Sequence, residues 1–453
     1  MKLKNSPKIF ENYKSDIPEN TIKNIEDGFG RLGLELKYIP DKNVNGINVF
    51  KGVCKANHTF IKTCGKGETP VLAKASAYAE MAERISSGFF FESVRNLNRR
   101  KDLFRNIKID EEAFAKLKKH EFIAGYCYEK TGDSRNILPE QFIPNTPLQL
   151  KDRNILLTSS ISKHHWVNGY SLSRNENVKV PIKFVFEIGW TTGQASGNTF
   201  EEAIAQGSCE IFERYCFSYV MHRRIPVPTI DLNTIKNPKI KQQISFYNEH
   251  NIEVVIKDFS LGNRFPVVGI LFIDHNIENE RNILKKDKFF QLVNPGSALN
   301  IEEAISRCFT ERNQAVDPRL FSWTDAIWKH WVLNMGKDYR GAYANHNDSR
   351  HYLNDGDLSF LTDNKSRVIS FDNLKDTFPR HTDFYDDVKY ILDICKKENK
   401  ELIIVNTQHS KIRFPSVWVV IPEMMWIHEG LKNENSVFLD YSLEDSWLVV
   451  NMK

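Results

Sequence analysis

Thr191-Thr-Gly-Gln-Ala-Ser-Gly-Asn198 runs directly into Phe200-Glu-Glu202-Ala-Ile-Ala-Gln-Gly-Ser-Cys-Glu210-Ile-Phe-Glu213-Arg214. A small-residue turn thus feeds a stretch of helical character over 200–220. Spacings of three and four residues put Glu210, Glu213 and Arg214 on one helix face. The same format occurs earlier as Ser76-Ala-Tyr-Ala-Glu80-Met-Ala-Glu83-Arg84, and Arg307-Cys-Phe-Thr-Glu311-Arg312 echoes it later. Cys64-Gly-Lys-Gly-Glu-Thr-Pro70 reads as the turn before the first helix (71–87), and Asn294-Pro-Gly-Ser-Ala-Leu299 as the turn before the third (301–314). Strand-like runs at 178–188, 252–258 and 267–273 supply the β element. The unit strand, glycine turn, acidic helix predicts a mixed α/β fold (α+β) with a weak internal repeat around one site.

Carboxylates that converge from separate helices repel one another unless a cation stands between them, and Mg²⁺ is the usual one beside phosphates. Interleaved arginines suit the phosphate oxygens. A lone E-x-x-E-R is ordinarily a solvated, ion-paired face. Here the small and apolar neighbours Ala79, Met81, Ala82, Cys209, Ile211 and Phe212 place parts of these helices in a core. The residues therefore point to a nucleotide–magnesium site built from helix side chains. Ordinary phosphate loops are missing: Cys64-Gly-Lys-Gly lacks the first glycine of a P-loop, and no G-x-G-x-x-G follows a strand.

Lys and Arg number 62 against 58 Asp and Glu, a balance that argues against a nucleic-acid or membrane partner. The seven cysteines include no C-x-x-C pair, which speaks against a disulfide framework or structural zinc. Cys64 is the candidate for an exposed, sulfur-bearing thiol, while Cys209, Cys216 and Cys308 read as core. The basic run at 95–105 reads as a solvated face or a dock for an acidic leader peptide or RNA. Residues 1–60 form a lead-in, 61–430 the main domain with a polar insertion near 320–365, and 431–453 a tail. With no signal core or membrane span, a cytoplasmic protein is expected.

Gly65-Lys-Gly with the first acidic helix, Gly197-Asn198-Thr-Phe-Glu-Glu202 with the second, and Pro295-Gly-Ser-Ala-Leu with Arg307 and Glu311 together resemble the YcaO family in order and spacing. Phe414-Pro-Ser-Val-Trp-Val-Val-Ile-Pro422 resembles that family's closing strand. The resemblance implies ATP- and Mg²⁺-dependent activation of an amide carbonyl by O-phosphorylation. It implies Glu80, Glu83, Glu210, Glu213 and Glu311 as Mg²⁺ ligands and Arg84, Arg214 and Arg307 facing phosphates. By the same resemblance Ser76, Asn198 and Glu202 would complete the nucleotide pocket, and Glu80, Glu83, Glu213 and Arg214 would carry the reaction.

Because no proline follows Pro422, the reading leans to the thioamide-forming branch, acting on a peptide or protein. That branch implies a TfuA-like or sulfur-carrier partner, and the family implies a homodimer. The alternatives are an azoline-forming cyclodehydratase of a precursor peptide, thionation of a small molecule, and a non-catalytic ATP-binding accessory protein.

Overall fold

In the computed structural model the described residues are 2–11, 13–41, 49–57, 62–88, 135–142, 166–189, 191–278, 291–315, 358–362 and 367–425. The basic run at 95–105, the tail 431–453 and the 320–365 insertion up to residue 357 lie outside them.

Three sheets organise the chain. The first is β1 (Leu36–Pro40), β2 (Phe50–Ala56) and β3 (Lys62–Gly67), in that order. A second contains β7 (Thr229–Asp231), β8 (Ile252–Asp258), β9 (Val267–Asp274), β10 (Gln291–Ser297) and β11 (Val368–Ser370) in the order β10-β9-β8-β7-β11. The last contains β4 (Val167–Ser171), β5 (Glu176–Val180), β6 (Gln194–Ser196), β12 (Ile403–Asn406) and β13 (Ser416–Val420) in the order β5-β4-β12-β13-β6. Neighbours pair antiparallel except β11 with β7.

The principal helices are α1 (Pro18–Gly30), α2 (Pro70–Ser86), α3 (Ile182–Gly189), α4 (Phe200–Arg223), α5 (Pro238–Glu249), α6 (Ile301–Ala315) and α7 (Phe384–Lys397). The second sheet contributes to two apolar cores, one shared with the third sheet and filled by α4, which is buried on nearly all sides, while the first sheet packs in a smaller core with α1 and α2. Among the described residues no helix is long and apolar enough to cross a membrane.

The expected mixed α/β organisation is present, with two local corrections. Residues 178–188 are not one strand: β5 stops at Val180, and α3 begins after Pro181. Proline presets a helical φ at a first turn, and a short apolar run buried on every side does not betray its period. The glycine stretches read as turns at 64–67 and 294–297 lie within β3 and β10.

Close packing accounts for those glycines. A Cβ on Gly65 would stand 2.2 Å from both Ala73 O and Ala77 N, and one on Gly296 would stand 2.2 Å from Ala304 O. Strand and following helix therefore touch backbone to backbone, which no larger residue permits. In the β6–α4 unit the roles are exchanged. The strand carries Ala195, and the helix carries Gly207, whose Cβ would lie 2.7 Å from Gly193 O.

The three units thereby align position by position. Gly65, Ala195 and Gly296 correspond, as do Thr69, Thr199 and Asn300, each of which accepts a first-turn backbone N–H at its helix start. Glu80, Glu210 and Glu311 also correspond. Glu83 and Arg84 match Glu213 and Arg214, but the third unit has Gln314 and Ala315 there. Its arginine comes two turns earlier: Arg307 corresponds to Ser76 and Gln206.

Each unit consists of the edge strand of a different sheet followed by its helix. The packing is cyclic: α2 lies on β6, α4 on β10 and α6 on β3. The three acidic helices are thus drawn together by the strands of their neighbours.

One buried charge lies away from this centre. Lys257 on β8 is fully buried, donates to Thr229 Oγ1 at 2.7 Å, and is pulled down to about 8 by that burial. A lysine whose folded value lies below its unfolded one binds its proton more readily in the unfolded chain. Stability is therefore expected to rise as pH climbs from about 8 to about 10.5, by roughly 3 kcal/mol. Urea unfolding of wild type and Lys257→Met across that range checks it; an equal pH slope in both would contradict it.

Candidate functional site

Thr69 and Thr199 cap α2 and α4, and both caps set the phase of the acidic faces that follow. On α2, Ser76, Glu80 and Glu83 succeed one another along one side, at spacings of four and three. Glu83 is buried, while Ser76 and Glu80 are partly exposed. Arg84 lies between its own carboxylates and the next unit, 3.0 Å from Glu83, 3.5 Å from Glu80, and donating to Gln194 Oε1 of β6 at 3.3 Å. On α4, Arg214 is buried and lies 2.7 Å from Glu210. On α6, Arg307 lies 2.8 Å from Glu303, and Glu311 is ion-paired with Lys66 of β3.

The helices face each other electrostatically. Burial pushes the Glu83 carboxyl up to about 8, with Arg84 opposing and Glu210 and Glu80 adding to the rise. Burial also pushes Glu213 up to about 8, reinforced by Glu311 and Glu210 and opposed by Arg214 and Arg307. Glu80, Glu83, Glu210, Glu213 and Glu311 are therefore brought into one field by three segments far apart in sequence.

Among the described residues no three acidic, histidine or cysteine side chains are drawn together as a finished ligand set. Glu80, Glu83, Glu210 and Glu311 lean on arginine or lysine instead. The donor set nevertheless fits Mg²⁺: hard carboxylate oxygens, partly buried and mutually repelling, gain from a divalent ion.

Asn198 and Glu202, which the family resemblance implies for the nucleotide pocket, lie just before and at the start of α4. Glu202 is buried, and Asn198 Nδ2 donates to its Oε2 at 3.2 Å. Sequence reasoning did not foresee what covers them. Lys14 lies 3.1 Å from Glu202, Ser15 N donates to the same carboxylate at 3.2 Å, and Thr21 Oγ1 donates to Asn198 Oδ1 at 2.7 Å. Against the upward pull of burial, Lys14 and Ser15 hold the Glu202 carboxyl below its ordinary range.

The segment read as a lead-in thus packs on Glu202 and Asn198. It walls a cavity between α4 and α6 with Lys8, Tyr13 and Lys14, facing Gln206, Arg307 and Asp387. No local pattern marks these residues, since their partners lie far along the chain. Cys64 is exposed on β3, but burial and Glu80 raise its thiol above the ordinary value, and neighbouring Lys66 is engaged by Glu311.

A family model described as "YcaO cyclodehydratase, ATP- and Mg2+-binding" matches residues 64–425. The chain belongs to the YcaO family. ATP and Mg²⁺ are the cofactors by which that family is described. Among curated proteins, the chain is 23% identical over 271 residues to the Escherichia coli "Ribosomal protein S12 methylthiotransferase accessory factor YcaO", covering 56% of this chain and 43% of that protein. It is 26% identical over 216 residues to an uncharacterized Haemophilus influenzae protein, covering 47% of this chain and 35% of that one. The chain thus spans less than half the length of both.

Among solved structures, a heterocyclase in complex with substrate and cofactor superposes with TM-score 0.60 at 18% identity, covering 94% of this chain and 54% of that one. The Methanopyrus kandleri YcaO bound with AMPPCP and Mg²⁺ gives 0.54 at 14% identity, covering 93% and 96%. Both likenesses establish the YcaO fold.

Proposed function

We propose that this chain uses ATP and Mg²⁺ to activate an amide carbonyl by O-phosphorylation, and that the three-helix site carries the reaction. One observation supports this most: carboxylates of α2, α4 and α6 share one field, with arginines placed among them. Glu80, Glu83, Glu210, Glu213 and Glu311 would hold Mg²⁺, and Arg84, Arg214 and Arg307 would face the phosphates. Bound Mg²⁺ supplies a Lewis acid that bears the charge developing on the transferred phosphoryl group.

The chain's own contribution is preorganisation. Burial keeps the carboxylates in a low-dielectric setting, and Arg84 spans two units so that both helices keep their spacing. Asn198, Glu202 and the N-terminal residues Lys14 and Thr21 complete the nucleotide pocket beside Ser76.

In the overall change a nucleophile adds to the carbonyl carbon, the amide oxygen leaves as phosphate, and ATP becomes ADP. The incoming atom in our reading is sulfur, giving a thioamide on a peptide or protein, with delivery by a separate TfuA-like or sulfur-carrier protein and a homodimeric enzyme. An azoline ring is the second reading, favoured by the cyclodehydratase description of the family.

Mass spectrometry of candidate peptides incubated with the chain, Mg²⁺-ATP and sulfide separates them. A product heavier by the exchange of oxygen for sulfur is expected. Loss of one water instead identifies cyclodehydration, and nucleotide binding without turnover on any amide points to an accessory protein.

A further inference from the structure

The three units are alike in sequence and packing but not in how their first carboxylate is neutralised. In the first unit Glu80 lies 3.5 Å from Arg84, one turn on, and in the second Glu210 lies 2.7 Å from Arg214 at the same offset. The third unit has alanine at that offset, Ala315. Its carboxylate, Glu311, receives its cation from another unit: Lys66 on β3.

The position of Lys66 is itself informative. It corresponds to Ser196 and Ser297, the residues by which β6 and β10 meet the helix of the preceding unit. Ser196 Oγ donates to Ala79 O at 2.8 Å, and Ser297 sits against Cys209, the residue corresponding to Ala79. At the third junction the short hydroxyl is replaced by a lysine that reaches the adjoining carboxylate. Gly65 and Gly67 on either side of Lys66 press β3 against α2 so closely that a Cβ would collide with Ala73, Ala77 or Leu72. The backbone that presents Lys66 is thereby fixed.

We infer that Lys66 is a positioning residue of the magnesium–nucleotide site, doing for Glu311 from across the ring what Arg84 and Arg214 do for Glu80 and Glu210 from their own helices. One carboxylate explains the need. Glu80 and Glu210 each have an arginine one turn on, whereas Glu311 has Ala315 there, so without Lys66 its side chain would lose the cation that holds it in place. Lys66 fixes the carboxylate of Glu311, which would be one of the residues that hold the divalent ion. The ammonium also ties β3 to α6, so the ring closes through a charge pair at the one junction that lacks a serine. The inference rests on the nucleotide reading above.

The test titrates Mg²⁺ into wild type, Lys66→Met, Lys66→Arg, Glu311→Gln and the Lys66→Met/Glu311→Gln double variant, each at fixed concentration of a non-hydrolysable ATP analogue. Heat of binding is the readout, and thermal melting without Mg²⁺ serves as the folding control. Lys66→Met is expected to raise the Mg²⁺ concentration for half-saturation about tenfold, as loss of a group that orients a metal ligand does. Lys66→Arg should restore most of it. In the Glu311→Gln background Lys66→Met should add nothing, because the two act as one unit.

A mere surface ion pair would shift melting slightly and leave the Mg²⁺ requirement alone. An unchanged requirement in Lys66→Met, or a full effect persisting in the Glu311→Gln background, would overturn the inference while wild type still bound. No Mg²⁺-dependent binding by wild type would overturn the nucleotide reading and this inference with it.

Discussion

Glu83→Gln and Glu213→Gln are each expected to lower ATP turnover by on the order of 10²–10³-fold while leaving the metal-free protein at least as stable as wild type. The two expectations have one cause. Both side chains are held in a buried field crowded with other carboxylates, which opposes their charge. Replacing either by the isosteric amide removes repulsion and leaves no cavity. It also removes an oxygen anion that Mg²⁺ needs, because a neutral amide oxygen is the weaker ligand for a hard cation. Sites that trade stability for function show this opposite movement of the two quantities. Thermal melting and ADP release measured on the same preparations check it. Glutamine variants that melt much lower than wild type would make these residues structural, and variants that keep full turnover would remove them from the reaction.

Gly65→Ala is expected to destabilise the chain by roughly 3 kcal/mol or more and to abolish turnover in whatever fraction folds. The added methyl would meet Ala73 O and Ala77 N at 2.2 Å and Ala77 Cβ at 2.6 Å. Two of these are backbone atoms inside α2, so no rotamer change relieves the contact. The helix must move off β3, and Glu80 and Glu83 move with it. Gly30→Ala at the end of α1 is the control. A Cβ there meets nothing within 4 Å, and alanine is the better helix former, so its stability should be equal or slightly higher. Denaturant unfolding of the two variants compares them. Equal stabilities would show that β3 and α2 do not pack as closely as described.

The acidic helix faces of the candidate site were legible in sequence for a physical reason: a helix repeats its face every three or four residues, so Glu80 and Glu83, and Glu210 and Glu213, stand out as pairs. The turns before those helices were misread because a glycine needed for close approach looks like a glycine needed for a bend. Gly65 and Gly296 are extended residues pressed on a helix, and Gly207 makes the same contact from the helix side. The apolar stretch around 178–188 was misassigned since burial on every side erases periodicity, leaving Pro181 as the one mark of the change from β5 to α3.

Lys14, Ser15 and Thr21 carried no signal at all. Their partners, Glu202 and Asn198, lie 177 to 188 residues further along the chain, and only the folded structure brings them together. Arg307 stood out as part of the third echo of the pattern, and its place facing a phosphate is what the family likeness implies. Its two-turn displacement from Arg84 and Arg214 became intelligible once the three units were aligned on their strands.

If α2, α4 and α6 form one magnesium-dependent nucleotide site, calorimetric titration of a non-hydrolysable ATP analogue into wild type and Glu213→Gln, with Mg²⁺ and with chelator, will show it. Binding that requires Mg²⁺ and is lost in Glu213→Gln is the predicted result. Binding that is equally tight in chelator, or unaffected by Glu213→Gln, would contradict it.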